Sequence, residues 1–250
     1  MLRLFCFIAC LLIAFPSISS AEEPDLVFLL IGQSNMAGRA PLEEAGKRPI
    51  EGVMLLNAEG KWEAAVNPLN RYATDRKKIS MQRLGPGDGF ARTLHEELPD
   101  RSIGLIVNAR GGSNIDLWKP GETLCDHTLQ RIRNLQTKPN FAGVIWHQGE
   151  SNSNDPEYLS KLVALVNNLR KDLGKPDLPF VAGEVHKDVP VNGRMKQLPE
   201  KLKRTAVVSA DELTVFDGVH FDHTSQKELG RRYAVAWLKI TKTEDAKGEK

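Results

Sequence analysis

Residues 27–31 read Val-Phe-Leu-Leu-Ile, an unbroken apolar run, and the chain passes from it straight into Gly32-Gln33-Ser34-Asn35-Met36. A run without alternation fits a strand covered on both faces, as in a parallel sheet held between layers of helices. The polar turn that follows then falls at the C-terminal edge of such a sheet, where open α/β folds place their ligand crevice. Ser34 has two readings there. It is an N-cap after a strand, or a hydroxyl nucleophile set among outward-pointing backbone amides. The rest of the chain has to decide between them.

The first residues read as an export signal. Met1-Leu2-Arg3 is a short positive start, Leu4 to Phe15 is a 12-residue apolar run, and Ser19-Ser20-Ala21 offers small residues for cleavage before Glu22. That run is shorter than the roughly 20 residues a membrane-spanning helix needs. The reading is a signal peptide over 1–21, a secreted or periplasmic product, no membrane anchor, and one α/β domain over 22–240. Two of the 3 cysteines lie in the signal, so Cys125 is left without an intrachain partner. With 34 basic and 32 acidic residues, the charge balance points to no nucleic acid as partner.

Along the chain, Val53 to Asn57, Ile103 to Val107, Val144 to Trp146 and Leu178 to Ala182 read as further strands, with Val207-Val208 and Val215-Phe216 as shorter pieces. Helices are expected after Gly89, over Cys125–Leu135, from Pro156 onward, and from Ser225 to about Ile240. Strands alternating with helices predict a three-layer α/β/α sandwich around a mostly parallel sheet. Residues 63–88 show little periodicity, and so long a loop is expected to border a site. Trp62 and Tyr72 are candidates there for walls against a sugar ring, or for pins that fix the loop to the core. The charged stretch 241–250 is expected to be disordered.

Three strands end in polar, glycine-bearing turns, at Ser34, at Gly111-Gly112 and at Gln148-Gly149. All three should meet on one edge of the sheet, which raises Ser34 above a cap. Phe216-Asp217-Gly218-Val219-His220 adds a base and an acid: an aspartate three residues before a histidine can fold back onto its Nδ1–H. Glu150 is the rival partner for His220, ranked second because it must arrive from another strand. The expected oxyanion donors are the amides of Ser34 and Gly112 and the side-chain NH₂ of Gln148. Gln33, Asn35 and Asn114 are the remaining candidates for binding substrate.

The blocks GQSNMAGR, GPGDGFA, NARGGSNIDLW, WHQGESN and DGVHFDHTSQKELGRRYA resemble those of the sialate O-acetylesterase-like carbohydrate esterases, related to acetylxylan esterases, within the SGNH hydrolase superfamily. The resemblance implies a flavodoxin-like sandwich, a serine esterase mechanism without metal or cofactor, and acetylated sugars as substrates. The residues that name the superfamily correspond to Ser34, to Gly111 or Gly112, and to His220, with Gln148 standing where an asparagine is usual. Members are read with either the aspartate of the last block or the glutamate of HQGE as third triad residue, so Asp217 and Glu150 both stay open.

Two other classes compete. His147, Glu150, His186, Asp217, His220, Asp222 and His223 offer enough ligands for a metallohydrolase, although His147-x-x-Glu150 is not the helical His-Glu-x-x-His pattern. A sugar-binding module without turnover is the second, and every block still carries its reactive residue. The sequence does not discriminate between xylan, sialic acid and other acetylated glycans, and it is silent on oligomeric state.

Overall fold

The computed structural model describes residues 23–135 and 137–248; the signal-peptide reading lies outside them. A 7-stranded sheet runs through the molecule in the order β3-β2-β4-β1-β5-β6-β7. Its strands are β1 (Leu26–Gly32), β2 (Val53–Leu56), β3 (Trp62–Ala64), β4 (Ile103–Ala109), β5 (Phe141–His147), β6 (Phe180–Gly183) and β7 (Thr205–Val208). All pairings are parallel except the edge pair β2–β3. The expected α/β sandwich is the observed fold.

The apolar run of β1 fills both layers because successive side chains alternate faces. Phe28 and Leu30 pack with the layer of α2 (Gly87–Glu97) and α7 (His223–Gly248). Val27, Leu29 and Ile31 pack on the other side, where α3 (Thr123–Arg133), α4 (Tyr158–Asp172), α5 (Pro190–Met195) and α6 (Leu198–Lys201) lie. Phe28 meets Phe90 and Trp237 edge-on, each with ring centroids 5.0 Å apart. β1, β4 and β5 are neighbours, so their three C-terminal turns emerge side by side.

Several expectations shift. Asp222 accepts the Ser225 amide and caps α7, which therefore starts at His223 rather than at Ser225. The same helix runs on to Gly248, so the stretch expected to be disordered from Thr241 is helical as far as that residue. Lys, Glu and Ala extend a helix that is already nucleated and packed at little cost. Val215-Phe216 forms no strand, only an isolated bridge between Val215 and Phe221. Trp62 is buried in the core, its indole N–H donating to Glu23. Tyr72 packs against the core with its hydroxyl on Glu63. Both aromatics are pins, and neither forms a sugar platform.

Candidate active site

The nucleophile turn is made possible by Gly32. Its φ is +137°, and a Cβ there would stand 2.1 Å from the His147 carbonyl oxygen. Only glycine brings the end of β1 that close to β5. Gln33 then occupies the N-cap of the short helix α1 (Ser34–Ala37), with no side-chain cap bond. Ser34 is thus the first helical residue and not the cap. Its amide has no helical acceptor, and its hydroxyl makes no hydrogen bond among the described residues.

The acid–base pair is formed within one loop. Asp217 Oδ2 lies 2.6 Å from His220 Nδ1, while Oδ1 accepts the amides of Val219 (3.1 Å) and His220 (2.8 Å). Burial pushes the Asp217 carboxyl up, but these hydrogen bonds outweigh it and hold the group below its usual range. The Phe216 ring stacks on His220, with centroids 6.2 Å apart. Asn35 fastens this loop beside the nucleophile: its side chain donates to the Val219 carbonyl (3.2 Å) and accepts the Phe221 amide (3.1 Å). The Asp217–His220 loop is thereby held against Asn35, the residue that follows Ser34.

Glu150 is placed differently. Its Oε1 accepts from Asn35 Nδ2 at 2.7 Å and stands 3.8 Å from His147 Nε2. Burial pushes its carboxyl above the usual range, against the pull of its hydrogen bonds and of nearby His220. Among the described residues no hydrogen bond joins Glu150 to His220.

Gln148 corrects the expected oxyanion set. The residue is fully buried, and its NH₂ donates to the Ser113 carbonyl (3.1 Å) and to Asn152 Oδ1 (2.7 Å). Asn152 Oδ1 also accepts the Ile115 amide, which fixes which way both amides face. Both hydrogens of Gln148 are engaged, so the side chain braces two turns instead of facing the crevice. Among the described residues the Gly112 amide makes no backbone turn bond, and with a φ of +75° this residue is held in the left-handed region that glycine tolerates.

The three residues expected to bind substrate each hold a turn through a side-chain oxygen. Gln33 is buried and its Oε1 accepts the amides of Gly149 and Ser151. Asn35 is fully buried, with Gln226 as an additional donor to its carbonyl group. Asn114 caps a short turn by accepting the Asp116 amide. Strand ends leave backbone groups without ladder partners, and polar side chains in these turns satisfy them.

The segment 63–88 packs against the C-terminal end of β4. Asn108 at the end of β4 accepts the Thr74 amide, and Arg110 donates to the Asp75 carbonyl. The side chains that raised the metal reading meet at most in pairs, and several have other partners. His147 bonds Tyr233, Asp222 caps α7, and His223 faces the Pro41 carbonyl and Glu43. Among the described residues no group of three or more His, Cys, Asp or Glu side chains could hold an ion. Cys125 is buried, and burial pushes its thiol up to about 11, which makes it a poor nucleophile. Asn152 and Tyr233 were not singled out in the sequence. Asn152 does fall in the quoted WHQGESN block, while Tyr233 gave no signal beyond helical spacing.

A family model described as "Carbohydrate esterase, sialic acid-specific acetylesterase" matches residues 24–239. The chain belongs to this family. It is an ester hydrolase of the carbohydrate acetylesterase type. A probable carbohydrate esterase from Arabidopsis thaliana is 30% identical over 247 residues, spanning 89% of this chain and 94% of that protein. A solved Arabidopsis structure superimposes with a TM-score of 0.77 at 28% identity, covering 86% of this chain and 98% of that one. NanS shares the fold, with a TM-score of 0.67 at 18% identity over 89% of this chain and 99% of its own.

Proposed function

We propose that this member of the family is a serine esterase that removes O-acetyl groups from sugars through an acyl-enzyme. The observation that carries the reading is the Asp217–His220 pair. Asp217 holds Nδ1, which leaves Nε2 as the free nitrogen of His220, on a loop tied to the residue after Ser34. In this reading His220 Nε2 takes the Ser34 hydroxyl proton as Oγ attacks the acetyl carbonyl. The amides of Ser34 and Gly112 hold the oxyanion. Collapse expels the sugar oxygen, which receives the proton from His220. Water, activated by the same nitrogen, then releases acetate and restores Ser34.

The N-terminal charge, apolar run and small residues before Glu22 support export, and among the described residues no helix is long and apolar enough to cross a membrane. N-terminal sequencing of the mature protein tests the cleavage point. The esterase reading is tested by stoichiometric fluorophosphonate labelling of Ser34, together with acetate release from acetylated xylan and sialosides. A folded Ser34→Ala protein that keeps near wild-type acetate release overturns it.

A further inference from the structure

The two carboxyl groups near His220 are held in opposite ways. Asp217 receives three donors, the amides of Val219 and His220 and the imidazole Nδ1. Glu150 receives one side-chain donor, Asn35 Nδ2, on Oε1. Its Oε2 is buried and makes no hydrogen bond among the described residues. His147 Nε2 stands 3.8 Å from Oε1, and it too is buried without a hydrogen bond among the described residues.

His147 is fixed so that this nitrogen is an acceptor. The Tyr233 hydroxyl of α7 donates to the Trp146 carbonyl and so accepts from Nδ1, which leaves Nε2 bare. Gly183 of β6 makes room for the pair: a Cβ there would stand 1.9 Å from the Tyr233 oxygen and 3.0 Å from His147 Nδ1. Burial keeps His147 itself uncharged, so it offers Glu150 no counter-charge.

The other groups around Glu150 supply none either. On α4 and α7 the phenols of Tyr158 and Tyr233 are buried and stay neutral. His186 and Lys187, which follow β6, line the same small cavity as Glu150, and among the described residues neither forms an ion pair with it. His220 lies near enough to interact through charge, but it has to be neutral to act as the base.

A bare imidazole nitrogen and a carboxylate are both acceptors, and two buried acceptors side by side repel. One proton turns the contact into a donor–acceptor pair, and a closure of about 1 Å brings it to ordinary hydrogen-bond length. A buried carboxyl without a partner for its charge neutralises rather than staying ionised. Burial accordingly pushes Glu150 above the usual carboxylate range. The neutral form also suits the chemistry. Glu150 is bonded to the residue after Ser34, and a second negative charge there would oppose the oxyanion held by the Ser34 amide.

We propose that Glu150 is a neutral carboxylic acid in the resting enzyme, its O–H donating to His147 Nε2, and that it acts as a positioning residue. It anchors Asn35, and through Asn35 the nucleophile turn and the His220 loop, while adding no charge beside the oxyanion. Asp217 is then the carboxylate that sets the basicity of His220. The effect on catalysis rests on the esterase reading of Ser34; the protonation does not.

Glu150→Gln keeps the neutral shape, with an oxygen for Asn35 and an NH₂ for His147. Difference infrared spectra between wild type and Glu150→Gln at pH 7 should show the C=O stretch of a protonated carboxyl, moving down in deuterated water. Loss of a carboxylate band instead overturns the proposal. The pH midpoint of kcat/KM should coincide in the two proteins, because one neutral group replaces another. An ionised Glu150 would raise the pKa of His220, so a midpoint lower by about half a pH unit or more in Glu150→Gln overturns it as well. Glu150→Ala frees Asn35 and should fall about tenfold or more below Glu150→Gln in kcat; equal rates overturn the positioning role. Should Glu150→Gln fail to fold, carboxyl carbon NMR spectra of glutamate-labelled wild type decide. One resonance at the protonated position at pH 7 supports the proposal, and none overturns it. The spectra need no turnover, so an inactive enzyme counts against the esterase reading alone.

Discussion

Asn35 Nδ2 donates to Glu150 Oε1 at 2.7 Å, so the HQGE carboxylate is held by the nucleophile turn, and among the described residues no hydrogen bond ties it to the imidazole it was expected to orient. Asn35 is thereby the joint between three loops, since the same side chain also holds Val219 and Phe221. The consequence is a ranking of two variants. Asp217→Asn keeps an oxygen for the two backbone amides but presents NH₂ to Nδ1, which forces the proton onto Nε2. That tautomer cannot accept the serine proton, and kcat should fall by about 10⁴. Glu150→Gln keeps an oxygen for Asn35 and should cost less than about tenfold in kcat/KM. Rates on a chromogenic acetate, taken on folded protein at pH 8, decide the matter. A reversed ranking would make Glu150 the partner of His220.

Gln148 yields a prediction opposite in kind to the one its sequence position invites. As an oxyanion donor it would cost about 10²–10³ in kcat on removal, with stability untouched. As a brace with both hydrogens engaged, Gln148→Ala leaves the Ser113 carbonyl with one donor fewer and Asn152 Oδ1 with only the Ile115 amide. Unfolding free energy should drop by about 1–3 kcal/mol, read from urea melts of both proteins. An unaltered melt with a large loss of kcat would restore the donor role.

Gly32 should tolerate no side chain. A Cβ would stand 2.1 Å from a backbone oxygen that cannot move without breaking the β1–β5 register. Gly32→Ala should therefore lose several kcal/mol of stability, about the upper range for single substitutions, or fail to fold. A Gly32→Ala protein that melts within a degree of wild type would show that the turn is not closed as described.

What the sequence shows plainly is whatever local pattern decides. Unbroken apolar runs at 27–31 and 103–107 become doubly covered strands because alternation of faces is geometric. Asp217 and His220 meet because three residues of loop leave them little else to do. The roles of Gln33, Asn35 and Gln148 were not legible for the opposite reason. A polar side chain in a glycine-bearing turn looks the same whether it faces a ligand or an orphan backbone group. The partners of Gln33 are 116 and 118 residues away, and only the assembled sheet brings them near.

His147 gives the pH dependence. It is fully buried, and the Tyr233 hydroxyl that meets its Nδ1 at 2.8 Å itself donates to the Trp146 carbonyl at 3.1 Å. The hydroxyl must then accept, so Nδ1 carries the proton and Nε2 is bare, facing Glu150. Burial lowers its pKa from the ordinary histidine value of about 6.5 to about 3. The folded protein keeps His147 neutral between those values, while the unfolded chain takes up a proton. The unfolded state therefore binds more protons there, and stability rises with pH across that window. Equivalently, acidification should cost up to about 1.4 kcal/mol per pH unit below the ordinary histidine value from this residue alone. His147→Gln, with an amide able to donate to Tyr233, should flatten that part of the profile while lowering stability at pH 7. Urea unfolding of both proteins at intervals from pH 4 to 7 makes the comparison. Parallel profiles would mean that His147 is not the group taking up the proton.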